Sequence, residues 1–500
     1  MKINFENKTI NGYREIYHQN KRVLETTDSV VPDTNDDIGK IVSIQTSVLL
    51  KSKDVTARGV QISGEAIASL IYITEGEKAV SYVRLTKAFT IDYELSDVDA
   101  DLVAQIKLDI VNTEARILNP RKVSVTFEIA GELSCYVQET IVTETFLPPN
   151  TGTAVHTRVK ESELVCTNAV CEKTFTLSEQ FMFPGGKPVP SQLISQKAEF
   201  NVNDSQLVGT KLIIKGTMGL TALYLSDEVN YPVSIDFSTS FSQIIDMGQE
   251  RMDSCIPMIE LSTIYYDLIS TINGEKALDV EIHAVLQLVS RCKCRTKYIA
   301  DVYSNLLPAE CSVTTLTATN SAAVLQTKMI TDERIGVSED CADVLSVFTN
   351  LSQLTIQGEK ISAAVTLDIV YRTKSSTLAS VRRLISLNCD CVKTAERIIK
   401  GKLSDVYLRP DGDTIDTHVA VEVKYQSIET NTISHVTAVA LDEDAPYDFA
   451  SFPAVSLVRA DKEELWELAK VYHSSVERIE QTNQLADGYV GKLLLIPKAI

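Results

Sequence analysis

Period-two alternation of apolar and polar residues, interrupted by short polar turns, runs along the chain to about residue 440, where helical spacing takes over. A single pattern recurs within this alternating stretch. Ile62-Ser63-Gly64 is followed eight residues after the glycine by Tyr72, Ile214-Lys215-Gly216 at the same distance by Tyr224, and Ile361-Ser362-Ala363 likewise by Tyr371. The tyrosines stand 152 and 147 residues apart, which predicts three diverged copies of one module of about 150 residues.

Each tyrosine is followed by a turn and a returning strand. Thr74-Glu75-Gly76-Glu77-Lys78 leads into Val80 to Phe89, and Ser226-Asp227-Glu228 into Val233 to Phe241; both phenylalanines lie 17 residues after their tyrosine. The third copy is looser, with Ser380 to Ile385 and no phenylalanine at the matching place. A second turn then recurs as Asn119-Pro120-Arg121-Lys122, Asn273-Gly274-Glu275-Lys276 and Asp411-Gly412-Asp413. Asn-Gly and Asp-Gly favour tight hairpins because both tolerate positive φ. The strands after these turns are expected to end at Glu128-Ile129, Glu281-Ile282 and Glu422-Val423. Upstream strands are expected at Ile41 to Leu50, Leu193 to Val202 and Val344 to Leu351, giving five or six strands per module. The expected fold is therefore mainly β, three repeated β-sandwich or barrel-like modules. Asp97 to Ile106 and Ala395 to Lys402 are short helix candidates.

Linkers are expected where the alternation lapses, at Leu147 to Gly152, Leu307 to Glu310 and Asp442 to Pro446. The resulting division is an N-terminal segment 1–28, a first module over 29–150, a linker plus the second module over 151–310, a third module over 311–445, and a small domain over 446–500. Ile10 to Tyr17 reads as a strand or short helix, and residues 153–180 as an extra strand donated to a neighbour.

In the tail, Leu465, Leu468, Ala469 and Tyr472 fall at helical spacing on one face, with acidic residues in the first turn where they favour the macrodipole. Ser474-Ser475-Val476-Glu477 reads as a cap before a second helix carrying Val476, Ile479 and Asn483, and Gly491 to Pro497 as a closing strand. Leu465-Trp466-Glu467-Leu468-Ala469, Tyr472 to Val476, Ile479 to Asn483 and Gly491 to Pro497 together resemble a LysM domain. The resemblance implies a βααβ fold with a shallow groove beside the first helix. The Gly-Asp-Ser/Thr that the family places before Leu-Trp is replaced here by Lys462-Glu463-Glu464. Two glutamates narrow a loop at which a glycan needs close backbone approach, which favours protein over glycan as ligand.

A net charge of −19, from 48 basic and 67 acidic side chains, opposes nucleic acid and anionic membrane surfaces as partners. No secretory signal and no apolar run of about 18 residues is expected, so the chain should stay in the cytosol. Its ten cysteines then read as reduced thiols, and the two C-x-C pairs, Cys292/Cys294 and Cys389/Cys391, lie too far apart for a zinc site; no metal or cofactor is expected. The six histidines are scattered, and no His-Glu-x-x-His, Gly-x-Ser-x-Gly or Walker loop is present, so no enzymatic constellation is expected.

Three β-rich modules followed by LysM, without a signal peptide, resemble the SipL-type spore morphogenetic proteins of clostridia, whose repeated module is the SPOCS domain. That resemblance implies a mother-cell protein at the forespore surface that tethers coat proteins to the basement-layer ATPase SpoIVA through LysM. The residues it points to for docking are Lys462, Leu465, Trp466, Tyr472, Ile479 and Asn483. The alternative is a peptidoglycan or N-acetylglucosamine-glycan-binding protein acting through the same domain.

Overall fold

The computed structural model describes residues 2–75, 79–96, 101–147, 154–460, 464–485 and 491–498. The chain is mainly β. After a short β1 (Lys2–Asn4) come three successive sets of six strands. The first is β2 (Glu6–Val30), β3 (Ile38–Thr56), β4 (Gly59–Thr74), β5 (Val80–Glu94), β6 (Val103–Asn119) and β7 (Lys122–Phe146). The second is β8 (Val155–Met182), β9 (Gln192–Val208), β10 (Lys211–Ser226), β11 (Val229–Asp246), β12 (Ser254–Ser270) and β13 (Lys276–Ser304). The third is β14 (Ala309–Gly336), β15 (Cys341–Gln357), β16 (Lys360–Thr373), β17 (Leu378–Asp390), β18 (Ala395–Asp411) and β19 (Thr414–Leu441).

The same strand plan recurs in each set. The second, third and fourth strands form an antiparallel meander with the Ile/Tyr strand in the middle: β3-β4-β5, β9-β10-β11 and β15-β16-β17. The long first and last strands pair with each other, β2 with β7, β8 with β13 and β14 with β19, and the fifth strand pairs with the last. Meander and long-strand sheet enclose a core between them. In the first set it joins Ile62, Tyr72 and Phe89 to Ile106, Phe127 and Ile129. In the second it joins Tyr224 and Phe241 to Phe175, Ile282 and Leu286, and in the third Tyr371 and Ile385 to Met329, Val419 and Val423.

Strand periodicity explains what the recurring spacing does, because neighbours along a strand face opposite ways. Tyr72, Tyr224 and Tyr371 point into their own cores, and all are fully buried. The Tyr72 and Tyr224 hydroxyls donate to the carbonyls of Asp36 and Pro188, in the loops that enter their meanders; that of Tyr371 lies 3.4 Å from Ser338 Oγ in the equivalent loop. The preceding residues, Ile71, Leu223 and Val370, point the other way and meet in one shared cluster with Val42, Ile194 and Phe348. One face of each middle strand thus builds a module, and the other joins the three.

The long strands do not end at Glu128, Glu281 and Glu422 as expected but continue to Phe146, Ser304 and Leu441. Their distal halves leave the module core and bury apolar residues against one another: Ile299, Val302, Val436 and Val439 cluster with Phe5, and Ile141 of β7 packs with Cys292 and Ile433 in a second cluster. β1 adds to this end by pairing with β19, Ile3 opposite Val439. Residues 153–180 are likewise not a strand given to a neighbour. From Val155 onward they form β8, which pairs with β13 of its own set from Ser304↔Val155 to Ala277↔Met182 and reaches β2 at the single pair Tyr13↔Thr167. Ile10 to Tyr17 lies within β2, and the expected boundary at residue 28 falls near that strand's end.

Both helix candidates in the modules are corrected. Ala395 to Lys402 opens β18, with Ala395↔Ser427 and Lys402↔Glu422 in register; the described part of 97–106 enters β6 at Val103, and 97–100 lie outside the described residues. A strand partner along the whole segment outweighs local helix propensity, a preference of only tenths of a kcal/mol or so per residue.

Candidate functional site

The tail folds as β20 (Val455–Arg459), α1 (Leu465–Val471), α2 (Val476–Asn483) and β21 (Leu493–Pro497). The strands pair antiparallel, Leu457 opposite Leu495. α1 begins without a side-chain cap but carries Glu467 in its first turn and Lys470 in its last, matching the helix dipole at both ends. Ser475 caps α2 by accepting from Arg478 N, and Gln484 closes it in the left-handed region at φ 47°. Leu465, Leu468, Ala469, Ile479, Leu494 and Ile496 form the small core.

Of the six residues expected to dock a partner, the five described ones do not share a free face. Lys462 and Glu463 lie outside the described residues, as do 486–490. Leu465 and Ile479 are core, and Tyr472 packs half-buried against that core. Asn483 is a latch: its amide donates to the carbonyls of Ile479 and Leu495, and its oxygen accepts from Leu495 N at 2.7 Å. It thereby satisfies a strand-edge donor and acceptor while tying α2 to β21.

Trp466 faces the second module. Its indole Nε1 donates to Asp301 Oδ2 at 2.8 Å, and its ring meets Tyr303 edge-on with centroids 4.8 Å apart. Lys470 Nζ reaches both Asp301 oxygens at 3.0 and 2.9 Å, while Arg158 pairs with Glu464 and approaches Glu467 at 4.0 Å. The Tyr303 hydroxyl donates to Ser474 O at 2.9 Å, and the His156 ring stacks on that of Tyr303 with centroids 4.8 Å apart. Burial pushes the Asp301 carboxyl up, but the bonds from Lys470 and Trp466 outweigh it and hold the group below its ordinary value. Burial drives the Tyr303 hydroxyl up and His156 down, so both stay neutral at physiological pH. α1 therefore lies on the distal ends of β8 and β13, a contact that helical periodicity alone did not show.

The connection to β20 is also anchored. His473, at φ 50°, packs its ring 4.4 Å from both Tyr447 and Phe452, and Tyr447 N donates to Leu306 O. On the opposite face of the small sheet Val455, Leu457, Leu493 and Leu495 are exposed.

Elsewhere, a surface hollow on the third module is lined by charged groups that pair among themselves, His418 with Asp332 at 2.6 Å and Arg334 with Asp416 at 2.9 Å. Cys292 and Cys294 place their sulfurs 3.7 Å apart, and Cys166 sits opposite Cys292 across the β8–β13 ladder, a third thiol that sequence spacing did not link to the pair. Burial pushes the Cys292 thiol up to about 12 and Cys135 up to about 11. Among the described residues no group of three or more His, Cys, Asp or Glu side chains is arranged to hold a metal ion, and no helix is long and apolar enough to cross a membrane.

Taken together, these features describe a β-rich protein of three interlocked six-strand units with a βααβ unit seated on the second. Residues 37–118 match the family model described as SipL, SPOCS domain. The matched stretch runs from the start of the first meander through β6 to Leu118. Neither among curated proteins nor among solved structures does anything match the chain significantly.

Proposed function

We propose that this chain is a non-enzymatic scaffold of bacterial endospore coat assembly, built from three SPOCS-like modules and a LysM-like C-terminal domain. The match of residues 37–118 to the SipL SPOCS domain carries the reading. Two further observations support extending it along the chain: the strand plan of the matched stretch recurs in the second and third sets, and the tail has the βααβ order that the LysM resemblance implies. In this reading the C-terminal domain docks the coat onto a SpoIVA-like basement-layer ATPase at the forespore surface, within the mother cell, while the modules hold other coat proteins. The acidic surface suits partners with basic docking faces.

The test is affinity capture of the full chain from sporulating cells, with and without residues 447–500, read by antibody to the basement-layer ATPase. Capture by the full chain and its loss on truncation are expected. Equal capture by both would take the docking role away from the C-terminal domain, and absence of the ATPase from both would reject the reading.

A further inference from the structure

We propose that the seat of α1 on the second module is a clasp that competes with the docking partner for α1. The proposal rests on the docking role given above and adds its regulation. Trp466, the aromatic anchor candidate of the first helix, is engaged by Asp301 and Tyr303 of the same chain. A partner approaching α1 through that side must first displace β13.

The contact has an exposed ionic rim around one buried aromatic residue of β13. The rim is Lys470 on Asp301 and Arg158 beside Glu464 and Glu467; the residue is Tyr303, which meets Trp466, enters the domain's core cluster and donates to Ser474 O. Side chains of Glu464, Glu467 and Lys470 are 40–58% exposed in these pairs, so water and salt compete for them. The domain's own core, by contrast, closes without the second module except for Tyr303, through Leu465, Leu468, Ile479, Leu494 and Ile496. Opening therefore withdraws one side chain, Tyr303, from the domain's core and leaves the contacts among its own apolar residues in place. The apparent affinity for the partner is then the intrinsic one reduced by the fraction of chains with the clasp open.

The experiment uses full-length Asp301→Ala and Arg158→Ala variants, which leave every residue of α1 unchanged, and purified basement-layer ATPase as the probe. Trp466 is the sole tryptophan, so its fluorescence and acrylamide quenching report opening directly. Both variants should show a red-shifted, more quenchable Trp466, and both should bind the ATPase about tenfold or more tighter than wild type, whose own affinity should rise with salt-driven opening. Quenching that does not change in either variant overturns the clasp. Variants that are open by quenching yet bind as wild type does, or more weakly, overturn the competition while leaving the docking role standing. No binding by any of the three proteins rejects the docking role itself and the competition with it.

Discussion

Phe89 lies directly across the strand pair from Gly64, with its ring over the glycine, so that a Cβ added at Gly64 would come within 2.6 Å of Phe89 Cε1. The second module repeats the arrangement with Gly216 and Phe241, where the corresponding distance is 2.7 Å. In the third, Leu387 stands opposite Ala363. The small residue is therefore not there for a positive φ; it makes room for a ring and for a carbonyl of the neighbouring strand, Leu49 in the first module and Asn201 in the second, and in the third, with leucine in place of the ring, the position is alanine. Gly64→Ala should destabilise the first module by about 1–3 kcal/mol, the usual cost of overpacking. Adding Phe89→Leu should recover some of that loss, the remainder reflecting the close carbonyl of Leu49. Urea unfolding of the single and double variants measures the coupling, and strictly additive losses would show that the ring is not the reason for the glycine.

Asn483→Ala should loosen the C-terminal unit without touching the modules. It removes three hydrogen bonds and leaves the Leu495 amide and carbonyl unpaired, a loss of about 2–3 kcal/mol. Trp466 fluorescence should report a melting step at lower temperature while the far-ultraviolet β signal keeps its midpoint. Unchanged amide exchange at Leu495 would contradict the latch.

A buried carboxylate, Asp368, is one of the contacts that join the first and third modules. Asp368 accepts from Arg382 at 2.6 and 3.1 Å and from Ser43 Oγ at 2.7 Å, and Ser43 belongs to β3. Asp368→Ala removes the pair with the half-exposed Arg382 and leaves the buried Ser43 hydroxyl without its acceptor, and should cost about 1–3 kcal/mol, whereas Ser43→Ala removes one neutral donor and should cost about 1 kcal/mol. Thermal unfolding orders the two; equal effects would place the weight of the contact on Ser43.

Glu260 gives a pH signature to the contact between the first and second modules. Burial, with the nearby Asp109 carboxylate, pushes it up to about 8, despite a bond from Leu108 N and the charge of Lys107. The folded chain thus keeps this proton up to about pH 8, while the unfolded chain releases it near the ordinary glutamate value of about 4.3. Folded chain binds more protons than unfolded across that window. The group's contribution is accordingly full below the unfolded value and is lost as pH rises to about 8. Glu260→Gln should flatten this decline and be the more stable protein at pH 8, by something on the order of 1–3 kcal/mol. Parallel stability–pH curves for the two proteins would show that Glu260 ionises normally.

Much of the fold was legible in the residues because it depends on short-range grammar. Period-two alternation, Asn-Gly and Asp-Gly turns and the Ile-x-Gly/Ala to Tyr interval all act within one hairpin, and the middle strands of all three meanders are where those signals put them. In the tail, the serine cap and the apolar spacing likewise place α1 and α2 within a residue or two. The same signals misread Ala395 to Lys402, whose helical composition yields to a partner strand supplied by residues 422–427.

Neighbours along the chain are enough to set which residues are strands, where the chain turns, and that each tyrosine is an inward packing residue. Only long-range contacts settle what the other faces meet. Ile71, Leu223 and Val370 are ordinary strand residues until three sheets bring them together, and the distal halves of β7, β13 and β19 look finished at Glu128, Glu281 and Glu422 until Ile141, Cys292 and Ile433 meet in one cluster. Trp466 is the sharpest case. Helical periodicity sets its angle to Leu465 but carries no information about residues 301 and 303, more than 160 positions away, whose carboxylate and ring occupy the space in front of it. Local geometry is fixed by neighbours in sequence, whereas burial of an outward face is fixed by whichever surface the folded chain brings against it.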